Sequence, residues 1–185
     1  EKELMNKKPF DPSTDGAKTD FKTVMSYGDY LNIDTVLDQQ NCITDAHDEM
    51  LFIVQHQTSE LWLKQILHEM LAARMALETG NMPNMLKMLS RVSRIFEQLN
   101  NQWDVLRTMT PADYTHFRDA LGPSSGFQSY QYRMVEFILG NRNPAMLKPH
   151  AHVPEVEKML QLELSRTSFY DEVIKFLFNT LDGTT

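Results

Sequence analysis

The chain has 185 residues, 42% hydrophobic and 23% charged, with a formal net charge of −7. This is globular composition long enough for one real core, and the acidic balance argues against a nucleic-acid face, which needs clustered cations. No apolar run approaches the roughly 20 residues that span a bilayer, and the lone Cys42 rules out an intrachain disulfide and points to a reducing, cytoplasmic setting.

Residues 1–22 carry charges, Pro9, Pro12 and Gly16 without periodicity, and read as a flexible tail ahead of a domain over 23–185. From Ser26 to Gln40, a serine with Asp29 three residues on makes a capping box and predicts one helix with Tyr27, Tyr30 and Leu31 on one side. The stretch Asp45 to Thr79 contains no Pro or Gly and stops at Gly80. It predicts a single helix roughly 50 Å long. Thr44 or Asp45 is the expected cap, with Asp48 and Glu49 in the first turn. Its apolar run Leu51-Phe52-Ile53-Val54 gives way to Gln55-His56-Gln57, a polar island that is either a satisfied network or a site.

A second long helix is expected from about Asn84 to Met109. Met85, Leu89, Val92, Phe96, Leu99, Trp103 and Leu106 alternate there at spacings of four and three, a seam for near-antiparallel packing. Thr110-Pro111-Ala112-Asp113 opens a helix carrying Tyr114, Phe117, Arg118 and Leu121. A small-residue loop, Gly122 to Gly126, leads into a helix from Phe127 to Leu139 stopped by Gly140. A Pro-rich connection (141–154) and two short helices, about 155–164 and 168–179, complete the chain. With no strand pattern and no repeat, the expected fold is all-α, a bundle built on two long antiparallel helices.

Several chemistries fail on spacing. A di-iron bundle needs Glu-x-x-His on two helices, but the residues three before His56 and His68 are Ile53 and Gln65, and only His116 has a carboxylate, Asp113, in that place. His56 and Glu60 lie one turn apart with nothing to complete a zinc site. His150 and His152 form a weak H-x-H in a loop. The segment GPSSG matches a nucleophile elbow only if shifted, and it lies between helices rather than after a strand. What remains is Phe52 one turn before His56, and Tyr114 one turn before Arg118. A ring beside an imidazole, and a hydroxyl beside a guanidinium near a Ser/Gly loop, suit an aromatic molecule carrying a carboxylate. Arg118 paired with Asp113 or Glu136 on a surface is the plainer reading of the same residues.

The blocks MLFIVQHQTSELWLKQILHE (50–69), FRDALGPSSGFQSYQYRMVEFILGN (117–141) and YGDYL (27–31) resemble tryptophan 2,3-dioxygenases. The resemblance implies a helical homotetramer that binds haem b and uses O2 to cleave the indole C2–C3 bond of L-tryptophan, giving N-formylkynurenine. It implies that His56 is the distal histidine accepting the indole N–H, and that Phe52 packs on the indole. Arg118 and Tyr114 would take the substrate carboxylate, Ser125 and Gly126 would form the loop over the haem face, and Trp103 would lie beside the haem. Tyr27, Tyr30 and Leu31 would reach a neighbouring subunit's pocket. The family's proximal haem ligand and its ammonium-binding threonine match nothing here, so no metal ligand is expected in this chain. The expectation is of a truncated or cleaved chain with the proximal histidine beyond Thr185. Two other readings stay open: a haem-free, non-catalytic helical piece or relative that keeps the substrate face, and a relative acting on a substituted indole.

Overall fold

The structure is a computed structural model that describes residues 11–181, and all regular structure among them is helical. The chain divides into two compact units, one up to Asn41 and one from Cys42. The tail expected over 1–22 lies outside the described residues as far as Phe10. No helix among the described residues is long and apolar enough to cross a membrane.

The first unit holds a 3-10 turn, Pro12–Asp15, and two short helices, α1 (Tyr27–Leu31) and α2 (Ile33–Leu37). The Ser26/Asp29 capping box forms: the Asp29 backbone N–H donates to Ser26 Oγ, and Asp29 Oδ2 accepts from the Ser26 N–H. The single helix expected over 26–40 does not. Asn32 adopts a left-handed conformation (φ 51°, ψ 43°), which a short polar side chain tolerates, and it breaks the helix after five residues.

The second unit is built on α3 (His47–Glu78) and α4 (Met82–Asn101), joined by a tight turn at Gly80, whose φ is +70°. As α4 advances, its partners step backward along α3. Arg91 meets Glu69, then Gln102 meets Ser59, so the pair is antiparallel. Buried Ile66, Met70, Ala73 and Leu77 of α3 pack into one core with Met85, Val92 and Ile95 of α4. The start of α3 departs from expectation, since its N-cap is Ala46 and no side chain caps it. Instead the buried Glu49 carboxylate reaches back to accept the backbone N–H groups of Ile43 and Thr44 and the Thr44 hydroxyl. These bonds, the one from Ile43 foremost, hold the Glu49 carboxyl below its ordinary range.

The second long helix is also shorter than its hydrophobic seam. It ends at Asn101, after two weak helix formers, and a one-turn α5 (Trp103–Leu106) follows. Trp103 is consequently 48% exposed rather than a core residue. α6 (Pro111–Arg118) opens with the expected Thr110/Asp113 capping box and continues as a 3-10 turn to Leu121. A further 3-10 turn, Gly126–Gln128, precedes α7 (Tyr130–Leu139), so the helix starts three residues later than expected. The connection contains a 3-10 segment, Pro144–His150, before α8 (Pro154–Ser165) and α9 (Phe169–Leu181).

α7 adds Met134, Val135, Phe137 and Ile138 to the core, and α8 and α9 add Leu160 and Phe169. Arg142 ties two helix ends together by donating to the carbonyls of Phe137 (3.1 Å), Glu163 (3.1 Å) and Leu164 (2.9 Å). Carbonyls in the last turn of a helix lack the usual i+4 partner and carry the negative end of the dipole. Across the core, buried Arg74 of α3 makes a forked pair with Glu163 of α8 and a third bond to Glu172 of α9.

Candidate functional site

His56 stands in the first third of α3 (His47–Glu78). Its Nδ1 lies 2.7 Å from the Phe52 carbonyl oxygen. A carbonyl only accepts, so Nδ1 carries the hydrogen, and in the neutral ring Nε2 keeps its lone pair and is an acceptor. The Phe52 ring lies 4.1 Å from the imidazole, centroid to centroid. It is wedged against α6 by Phe117 at 5.5 Å and Tyr114 at 5.8 Å, and those two meet edge-on at 5.4 Å. Phe117, only 1% exposed, anchors this cluster, and sequence reasoning gave it no role in the site. One turn beyond His56, Glu60 is held from α7: Gln131 Nε2 donates to its backbone carbonyl (2.9 Å) and to its carboxylate (2.7 Å).

The loop after α6 is shaped by its own backbone needs. Gly122 has φ +56° and ψ −133°, a conformation closed to side-chain-bearing residues. Ser125 and Gln128 form a third capping box around Gly126. A Cβ added at Gly126 would meet nothing within 4 Å, so the space in front of this residue is open. Arg118 donates from Nη1 to the Gly122 carbonyl at 2.8 Å. The surface pairing with Asp113 or Glu136 is not made. Asp113 is engaged by Thr110 and Glu136 by Arg133 and Asn141, and no ion pair among the described residues includes Arg118.

Two clefts meet at His56. One, of about 490 Å³, runs over Phe52, Leu121, Ser125 and Gly126. The other, of about 470 Å³, is lined by Leu63, Phe96, Leu99, Trp103, Phe127, Tyr132 and Arg133, among others. His56, Glu60, Gly126 and Ser129 belong to both, and so form the partition between them. Tyr114 lies behind Phe52 in a smaller hollow of about 360 Å³, and half-buried Arg118 lines none of the three. The structure thus gathers Phe52, His56, Ser125 and Gly126 round one opening and puts Trp103 in the adjoining one, with Tyr114 and Arg118 a step removed. Tyr27, Tyr30 and Leu31 belong to the first unit and are 75%, 76% and 40% exposed. Glu60, Phe127, Tyr132 and Arg133 had no sequence assignment as wall residues. The one available signal was the four-residue step from His56 to Glu60. Among the described residues no three His, Cys, Asp or Glu side chains gather to hold a metal ion, His150 and His152 included.

A family model described as Tryptophan 2,3-dioxygenase matches residues 12–168. The chain belongs to the tryptophan 2,3-dioxygenase family. It is 68% identical to the Tryptophan 2,3-dioxygenase of Ruegeria sp. (strain TM1040) over 98% of its own length and 65% of that protein's. It is 59% identical to that of Bradyrhizobium diazoefficiens, over 92% and 61%. For that of Cupriavidus necator the identity is 55%, over 88% and 55%. The chain therefore spans somewhat over half to two thirds of the length of these curated relatives.

The family is haem-dependent, and the wall of the 470 Å³ cleft bears on whether that group fits. A porphyrin needs a flat apolar slot with a cation at its edge for the carboxylates. The 470 Å³ cleft offers aliphatic and aromatic walls, and Arg133 in its lining has a buried Nε without a hydrogen-bond partner. The residues present fit the group. The wall's only histidine is His56, which also faces the neighbouring cleft.

Proposed function

We propose that this chain forms the distal, substrate-facing side of a haem-dependent enzyme that uses O2 to open the indole ring of L-tryptophan at C2–C3, giving N-formylkynurenine. The observation that carries the reading is the place of His56 and the 2.7 Å approach of its Nδ1 to the Phe52 carbonyl: it is a partition residue between an apolar slot and an aromatic-walled opening, and that contact leaves Nε2 of the neutral ring as acceptor. Trp103 and Gly126 of the slot wall, with Ser125 next in the loop, would hold haem b, which would supply the chemistry that makes O2 reactive.

The chain's own residues bind and orient. Phe52, fixed by Phe117 and Tyr114, gives the indole a ring to stack on. His56 Nε2 accepts the indole N–H and so sets which edge of the indole faces the slot. An indole N–H is too weakly acidic for imidazole to remove readily, so the role is that of acceptor rather than base. Arg118 and Tyr114 take the amino-acid carboxylate. For this, Arg118 turns part of its fork from the Gly122 carbonyl, its one hydrogen-bond partner among the described residues. In a homotetramer, the exposed Tyr27, Tyr30 and Leu31 close the pocket of a neighbouring copy and keep water from it.

The test compares binding of L-tryptophan and tryptamine, which lacks the carboxylate, to haemin-loaded protein, and product formation by a His56→Ala variant. Discrimination should be at least tenfold and should vanish in Arg118→Leu. His56→Ala should keep measurable turnover, because a neutral hydrogen bond contributes about 0.5–1.5 kcal/mol. A loss beyond roughly 10⁴ would instead mark a general base. Absence of both a Soret band and N-formylkynurenine would defeat the reading.

A further inference from the structure

The H-x-H of the Pro-rich connection is left without a role by the site above, yet its first histidine is built into the fold. His150 is 3% exposed, and its buried Nε2 has no hydrogen-bond partner. The segment that carries it, Pro144–His150, packs against the Gly126–Gln128 turn of the site loop and against α8. Next to it in charge is Arg133, 8% exposed, whose Nε is likewise buried and unpartnered. The Arg133 guanidinium is 4.9 Å from the ring centroids of both Phe127 and Tyr132, and its Nη1 is bound to Glu136 at 2.5 Å. Phe127, Tyr132 and Arg133 all line the 470 Å³ cleft. A cation held by two aromatic faces and one carboxylate therefore sets this part of the wall.

We propose that His150 is a positioning residue which keeps Arg133 and the Phe127 ring seated on the cleft wall only while its imidazole is neutral. Protonation would place a second cation against Arg133 in a site with little water to screen it. The groups acting on His150 are Arg133 from α7 and His152, two residues further along the chain. Neither neutralises a new cation. Glu136, also on α7, is engaged by Arg133 and Asn141. α8 carries Glu155 and Glu157 in its first turn, but neither is among the groups acting on the ring. Burial first, then Arg133 and His152, lower the His150 pKa from its ordinary value. The neutral form thus prevails at neutral pH, and the wall loosens as acid forces the proton on.

Trp103, half exposed on the same cleft, provides a reporter that requires neither haem nor turnover. In a Trp62→Phe background it is the only tryptophan. Its emission is followed from pH 8 to 5 with far-UV circular dichroism alongside, and the His150 ring proton is followed by NMR. The expected results are an emission change below pH 6.5 at constant helicity, coincident with the His150 titration. The change should be lost in His150→Gln and His150→Phe and kept in His56→Gln. Arg133→Gln should move the His150 midpoint upward, a readout that needs no His150 variant to fold. An emission change that survives both His150 variants, or a midpoint that Arg133→Gln leaves in place, overturns the proposal. Because haem takes no part, failure here leaves the dioxygenase reading untouched, and failure of that reading leaves this one standing.

Discussion

Arg74 is the most consequential single charge in the bundle. Its Nη1 and Nη2 lie 3.2 and 2.9 Å from the two oxygens of Glu163, and its Nε lies 3.1 Å from Glu172. The side chains of Arg74 and Glu163 are 8% and 5% exposed. Arg74→Ala would leave the Glu163 carboxylate buried, with Arg142 and Arg166 as its nearest cations at 3.7 and 3.9 Å, the far edge of an ion pair. Breaking a buried pair by removing one partner costs about 3–5 kcal/mol. The two distant arginines argue for the lower end, so we expect about 3 kcal/mol, a drop in Tm of roughly 6–12 °C for a domain of this size. Arg74→Lys keeps the charge without the fork and should fall between. Arg74→Met with Glu163→Leu removes both buried charges and should cost less than Arg74→Ala alone, since apolar replacements of such pairs are often neutral. Urea unfolding at pH 7, read by circular dichroism, measures all three. A cost for Arg74→Ala below about 1 kcal/mol, at unchanged m-value, would show that the pair's geometry carries no net stability.

Gly126→Val should leave Tm within about 1 kcal/mol-equivalent of the parent while weakening haemin binding at least tenfold, because its side chain would stand in open space shared by both clefts; unchanged binding in a spectral titration would refute this. Phe117→Ala removes the anchor of the Phe52–Tyr114 cluster and should cost about 3–5 kcal/mol by urea unfolding, and Phe117→Leu clearly less. Glu49 makes stability depend on pH with a definite sign. Its folded carboxyl lies below the ordinary value of 4.5, so its contribution is present above pH 4.5 and lost as pH falls through the lowered value. The gap between wild type and Glu49→Gln in urea midpoint should therefore shrink between pH 5 and pH 3, and a gap that stays constant would refute the linkage.

The elements legible in the sequence were those whose signal is local. Pro111 with the Thr110/Asp113 box, Ser26 with Asp29, and Gly80 and Gly140 each act through the backbone of their own few residues, and each start or stop lies where those residues put it. The misplaced boundaries needed information from elsewhere in the chain or competed with it. Glu49 displaces a good capping side chain because it can satisfy two backbone N–H groups at once. The seam through Leu99, Trp103 and Leu106 continues past the end of α4 because a hydrophobic period records which side faces inward, not whether the helix persists. Asn32 turns left-handed where a residue scan sees only another helix position.

The same division runs through the site. Phe52 with His56, and Tyr114 with Arg118, share single helices, so a four-residue spacing suffices to pair them. Phe117, Glu60, Phe127 and Arg133 owe their places to contacts between α3, α6 and α7, which no spacing encodes. Arg118 is the instructive case. Its guanidinium is free of carboxylates, and that much makes it available to a substrate, yet it is bound to the carbonyl of a glycine whose strained conformation opens the small-residue loop. The carboxylate capture proposed for Arg118 and the position of the loop therefore draw on one side chain. Any ligand that takes the fork of Arg118 also acts on the hold this residue has on Gly122, four residues before the Gly126 that both clefts share.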